Sequence, residues 1–186
     1  MLYLKCTAEV QKAIGLSKGA LSEATPASAP LGHWYVHRFS VGRTRFFLFM
    51  SEVSLLSFVL HKGRKPVTAE TLPGLFLAGL SQLLDMKGMD AATIEQTVAP
   101  YLSGRFAKTD SRKTLGCMND LVFHYSAMVE QQGGLASCDL FSIILSANEI
   151  PQRTLGWKIS WDVTESLIAE QLNQTPAPPP QKTHHH

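Results

Sequence analysis

The segment HWYVHRFSVGRTRFFLFM, residues 33–50, restricts the fold more than any other part of the chain. Two runs of aromatic and β-branched residues flank Val41 and Gly42, and glycine supplies the positive φ that a tight hairpin turn requires. The pattern predicts a β-hairpin. With a two-residue loop at Val41 and Gly42, Arg38 faces Arg45, Val36 faces Phe47 and Trp34 faces Phe49. Alternation then gives one face Trp34, Val36, Phe47 and Phe49, with Arg38, Arg43 and Arg45 close to the turn. The other face carries Tyr35, Phe39, Phe46, Leu48 and Met50. Both faces are largely apolar, so both need cover from helices or loops. Three arginines at the turn repel one another unless an external anion or the chain's own carboxylates sit among them.

Around the hairpin, LYLKC at residues 2–6 reads as a short strand, and Thr7 is placed to cap a helix reaching Ile14. Residues 15–31 read as a long loop. Ser51 is placed to cap SEVSLLSFVL as a helix with Glu52 in its first turn. A basic loop, residues 63–66, leads to a helix that starts at Thr68 or Thr71, carries Leu72, Phe76, Leu80 and Leu83 at helical spacing, and stops at Gly88. Asp90 caps a helix to about Val98. RFAKTD, residues 105–110, predicts a strand, and Asp110 or Ser111 caps the longest helix, which ends at Gly133 and Gly134. Its expected inner face is Leu115, Met118, Val122, Tyr125 and Val129. A helix over residues 139–147 and a last one from about Trp161 to Leu172 complete the pattern, with Trp157 and Trp161 expected as core or packing residues and not as a stacking platform. The fold class is therefore α+β: a small, mainly antiparallel sheet built on a central β-hairpin, surrounded by five or six helices. Residues 1–172 are expected to form a single domain. Residues 173–186 contain four prolines and no apolar anchor, which predicts a disordered tail. His184, His185 and His186 resemble the remnant of a purification tag and are set aside.

With 186 residues and 45% hydrophobic content, the chain can bury a core without a metal or disulfide staple. Cys6, Cys117 and Cys138 have no CxxC spacing, which argues against a disulfide framework. The N-terminus lacks the pattern of a signal peptide, and no apolar run approaches the length of a membrane span. A cytoplasmic protein is expected, with no membrane partner. The formal net charge is only +2. Charge is unevenly placed: residues 38–113 hold eleven Lys or Arg against six Asp or Glu, and residues 120–170 hold two against seven. The basic middle can meet an anionic partner or the chain's own acidic end.

Phosphate-binding glycine loops, zinc-protease helices, nucleophile elbows and EF-hand loops are all absent. The densest polar stretch is RFAKTDSRKTLGCMND, residues 105–120. A strand delivers Lys108 and a helix starts directly after it, so an anion could sit at the helix N-terminus among Lys108, Ser111 and Arg112. The plainer alternative has Asp110 or Ser111 capping the helix while Arg112 and Lys113 point into water. Cys117, Asp120 and His124 share a helix face, but no second pair with ligand spacing accompanies them, so neither a metal nor a cofactor is implied. His33 and His37 alternate with Tyr35 along one strand, a spacing that can hold a metal, but an edge-strand polar row is the expected account.

LGHWYVHRF, FFLFMSE, KTDSRKTLGCMND, GGLASCDL and LGWK, in that order, resemble an uncharacterised bacterial domain-of-unknown-function family (family 6933) over residues 1–172. SRKTLGCMND is the most distinctive segment, and Cys117 departs from the smaller polar residue expected at its position. The resemblance implies a bacterial, single-domain, cytoplasmic protein and lends no activity. Three functions stay open. The first is a binding or regulatory module with an anion site for phosphate or nucleic acid, using Arg43, Arg45, Lys108, Ser111, Arg112, Asn119 and Asp120. The second is a hydrolase or nuclease using Asp120 and His124. The third is a protein-interaction module with no small-molecule site.

Overall fold

The short apolar strand LYLKC is buried along its whole length and lies inside the sheet, with a strand on either side. In the computed structural model, which describes residues 1–175, β1 (Leu2–Cys6) pairs in parallel with β2 (Trp34–Val41) on one side and with β5 (Gly104–Lys108) on the other. Strands β3 (Thr44–Ser51) and β4 (Ser57–His61) extend the sheet antiparallel beyond β2, giving the order β4-β3-β2-β1-β5. The sheet is mixed, and its parallel pairs need crossovers. Helix α1 (Ala8–Ala13) and a long loop connect β1 to β2, and α2 (Leu72–Met86) with α3 (Ala91–Val98) carries the chain from β4 across to β5. Then follow α4 (Arg112–Gln131), α5 (Leu140–Ala147), a small hairpin of β6 (Pro151–Gln152) with β7 (Lys158–Ile159), and α6 (Ser160–Gln174). The described residues thus contain six α-helices, as the α+β reading expects. No helix among them is long and apolar enough to cross a membrane. Helix α6 passes Leu172 by two residues, and the remainder of the tail expected to be disordered lies outside the described residues.

Two local expectations are corrected. The hairpin turn is Gly42 and Arg43, with Val41 paired to Thr44 and Ser40 to Arg45. Gly42, at φ +58°, takes the first central position, and Arg43 is in the turn itself. Every cross-strand partner moves by two residues, and a shift of two preserves the face of each side chain. Trp34, Val36, Phe47 and Phe49 therefore still share one face. The second correction concerns SEVSLLSFVL, which is a turn followed by strand β4 and not a helix. Ser51 does cap, but it caps a turn: its Oγ accepts from the N–H groups of Val53 and Ser54 and donates to the carbonyl of Leu31. Leu55 then adopts φ +57°, which ends any helical path. Beyond it, Phe58 lies beside Phe49 and Leu60 beside Phe47, while Val59 lies beside Leu48. Burial with period two against an existing strand outweighs a helical pattern that the isolated segment fits equally well.

Helix α2 covers the Trp34 face. Phe76 packs against Trp34 at 5.1 Å between ring centroids and against Phe49 at 5.8 Å. Gly79 allows the close approach, because a Cβ there would collide with the ring of Phe58. Helices α4 and α5 cover the opposite face. Tyr125 reaches the hydroxyl of Ser57 at 2.9 Å. Asn148 closes the outer edge of β4 at the same residue: its Oδ1 accepts from Ser57 N at 2.8 Å and its Nδ2 donates to Ser57 O at 2.8 Å. Of the expected inner face of α4, Met118, Tyr125 and Val129 are buried, with Leu121 and Cys117 between them.

Candidate functional site

Lys5 is the residue that the apolar strand LYLKC accommodates least easily. Its side chain is only 7% exposed, and its Nζ meets Glu52 Oε2 at 2.7 Å and Asp110 Oδ2 at 2.9 Å. Tyr35, its neighbour in the β1–β2 register, donates from its hydroxyl to Asp110 Oδ1 at 2.5 Å. Glu52 uses its other oxygen to accept from His33 N at 3.1 Å. His33 Nδ1 accepts from Tyr3 N at 3.2 Å, so Nε2 carries the proton and donates to the carbonyl of Thr25. Burial by itself would depress the Lys5 ammonium, but the hydrogen bonds and charges of Glu52 and Asp110 outweigh it and hold its pKa above the ordinary value. Burial would raise the Asp110 carboxyl; the bonds from Tyr35 and Lys5 reverse that and leave it lowered. Tyr35 is raised, first by burial and then by its bond to Asp110. The cluster ties β1, the turn after β3 and the β5–α4 junction together. Its one cation is bonded to both carboxylates. None of these roles was read from the sequence, although a lone lysine in an apolar strand was the visible signal.

The residues expected to form an anion site are not brought to one place. Lys108 aligns with Cys6, and Cys6 with Val36, while Arg45 aligns with Ser40. Arg45 is thus four residues further along and three strands across from Lys108, roughly 13 Å by roughly 14 Å. Both lie on the sheet face that α2 covers, whereas α4 packs on the other. Arg43 and Arg45 are exposed at the hairpin tip, apart from Ser111 and Arg112 at the start of α4. Ser111 is the cap of that helix, its Oγ accepting from Thr114 N at 3.2 Å. Among the described residues no carboxylate stands within ion-pair distance of Arg43, Arg45, Lys108 or Arg112.

An open groove lies instead along the first two turns of α4. Lys113, Gly116, Cys117 and Asp120, at i, i+3, i+4 and i+7, form one stripe of the helix. Gln152 at the end of β6, with Arg153 and Thr154 directly after it, forms the opposite wall, and the space between the walls measures about 460 Å³. Gly116 leaves its part of the helix bare: a Cβ there would meet nothing within 4 Å. Cys117 Sγ lies 3.2 Å from Thr154 Oγ1 and joins the two walls. Two cations, Lys113 and Arg153, and one carboxylate, Asp120, line this space without pairing to each other. Asp120 is the one residue of the expected set inside it, with Arg112 and Asn119 on the adjoining stripe. The Lys113 stripe was legible as helical spacing. Its partner Arg153 was not, being forty residues away with no shared pattern.

His124 does not line the groove; its ring meets Phe123 edge-on at 5.8 Å between centroids. No group of three or more His, Cys, Asp or Glu among the described residues is arranged to hold a metal ion. Trp161 packs as expected, at 5% exposure, but Trp157 is 68% exposed. The row expected on an edge strand lies instead along β2, between β1 and β3; His37 meets Thr7 Oγ1 at 3.1 Å, and His33 is held by Tyr3 and Thr25.

Compared with known proteins, residues 3–163 match the family model described as Domain of unknown function (DUF6933). No curated protein matches the chain.

Proposed function

The chain belongs to the DUF6933 family, and on that premise we propose that it is a binding or regulatory module whose ligand presents an anionic group to the groove beside α4. The observation that carries this reading is the pair of cations, Lys113 and Arg153, facing one open space of about 460 Å³ with no carboxylate paired to either among the described residues. A volume of that order suits a small organic ligand. Arginine favours planar, two-point contact with phosphate or carboxylate oxygens, and lysine adds a point charge. Asp120 stands two helical turns from Lys113, roughly 10 Å along the axis. It would accept hydrogen bonds from hydroxyl or amine groups at the far end of the ligand. Arg112 and Asn119, beside the groove, are positioning residues in this reading, and Arg43 and Arg45 take no part.

Calorimetric titration with inorganic pyrophosphate tests it. Binding should weaken about tenfold in Lys113→Ala and again in Arg153→Ala, the usual loss for a charge-assisted hydrogen bond. Asp120→Asn should tighten it by removing the like charge. Unchanged affinity in the Lys113→Ala, Arg153→Ala double variant would dismiss the groove as the site.

A further inference from the structure

Trp157 is the least economical residue of the small hairpin. Its φ is +66°, directly after Gly156 at φ +67°, so two successive residues are left-handed. That backbone suits glycine and burdens any residue with a Cβ, a bulky one most of all. The large apolar ring obtains little burial in return, since it remains 68% exposed. Neither local conformation nor packing favours a tryptophan here; strained backbone clusters at functional sites, and tryptophan is enriched at interfaces. Its position adds the chemistry. Trp157 N donates to the carbonyl of Gln152 at 2.9 Å, and Gly156 N donates to the carbonyl of Arg153 at 3.1 Å. The loop that carries the exposed ring is therefore bonded through its backbone to two of the three residues that form the groove's outer wall, and Trp157 stands just beyond the lining residues.

We infer that the ligand is a nucleoside phosphate: the phosphate lies between Lys113 and Arg153, Asp120 accepts from a ribose hydroxyl, and the base stacks on Trp157. This inference rests on the anion-binding reading of the same groove and specifies its ligand class. Ribose hydroxyls paired with a carboxylate, and bases stacked on an aromatic face, are recurrent ways of reading those groups. The same chemistry is offered by a free nucleotide and by a single-stranded nucleic acid. Two cations in the groove and a formal net charge of +2 favour the free nucleotide.

The test compares inorganic pyrophosphate, ADP and an eight-residue oligothymidylate on the full chain by calorimetry and by tryptophan fluorescence. Trp34 and Trp161 are buried, so the emission open to acrylamide belongs to Trp157. ADP should bind at least about fivefold more tightly than pyrophosphate, the low end of a base–aromatic stack, and should shield Trp157 from the quencher. Trp157→Gly, which suits the left-handed backbone, should abolish that advantage while leaving pyrophosphate affinity unchanged, and Trp157→Phe should keep part of it. Tighter, steeply salt-dependent binding of the oligothymidylate would assign the same stacking site to a polynucleotide. If pyrophosphate binds but neither ADP nor the oligothymidylate gains over it, or if Trp157→Gly leaves the gain intact, the stacking inference is overturned and the anion site survives. If pyrophosphate itself does not bind, the anion-binding reading falls first.

Discussion

The chain places charged side chains in two polar sites on either side of the start of α4, and it treats them in opposite ways. Before the helix, Lys5 is buried against Glu52 and Asp110, with Tyr35 completing the shell. Along the helix, Lys113, Arg153 and Asp120 face a common space and pair with none of the described charges. Both sites contain the same kinds of residue. The difference lies in desolvation: a buried ammonium is tolerated only when its partners replace the lost water, whereas charges left in solvent can stay unpaired until a ligand arrives. The first arrangement holds the fold together. The second leaves its charges exposed to solvent.

The most severe way to break the contrast is Lys5→Met, which leaves Glu52 and Asp110 without their cation. It should cost about 3 kcal/mol in urea unfolding, at the low end for a broken buried pair because the Asp110 side chain is 50% exposed. A loss below about 1 kcal/mol would mean that the two sites do not differ in kind. Next comes Asn148→Ala, which strands the N–H and C=O of Ser57 on the outer edge of β4. About 2 kcal/mol should be lost in the same measurement. A smaller effect is expected from acid. The folded Asp110 carboxyl lies below its unfolded value, so its contribution is present above about pH 4 and fades as the pH falls through the lower folded value. His37, lowered by burial against the opposing effect of Glu9, favours the unfolded chain as the pH drops below about 6.5. Urea midpoints should therefore decline from about pH 6.5 downward, and His37→Gln should flatten the upper part of that decline. At the other extreme, the raised Lys5 contributes fully below about pH 10.4 and loses its contribution as the pH rises through its folded value. Smallest of all, Lys113→Ala and Arg153→Ala should each shift stability by less than about 0.5 kcal/mol, as unpaired surface residues do. A large loss in either would make the groove a structural element and erase the comparison.

Much of the fold was legible in the sequence, and the reasons are local. Gly42 between aromatic runs marked the hairpin, Asp90 and Asp139 marked helix starts, and the 3.6-residue spacing of Met118, Tyr125 and Val129 marked the buried side of α4. The failure at SEVSLLSFVL is equally instructive. Its apolar residues fit a helix and a strand alike, and only Phe47, Leu48 and Phe49 on the neighbouring strand decide between them. The candidate site was half legible for the same reason. The stripe from Lys113 to Asp120 is a property of one helix. That Arg153 opposes it, that Arg45 lies three strands from Lys108, and that Trp157 is exposed while Trp161 is buried all depend on how separate elements pack.

By itself, the sequence determined most of the elements, the apolar faces of the hairpin and of α4, and the α+β class, because turn chemistry, capping and periodicity act within a few residues. Tertiary structure alone decided which charges meet. Coulombic and hydrogen-bonding interactions between Lys5 and Asp110, or between the walls that carry Lys113 and Arg153, depend on distance in space, and local pattern does not encode that distance.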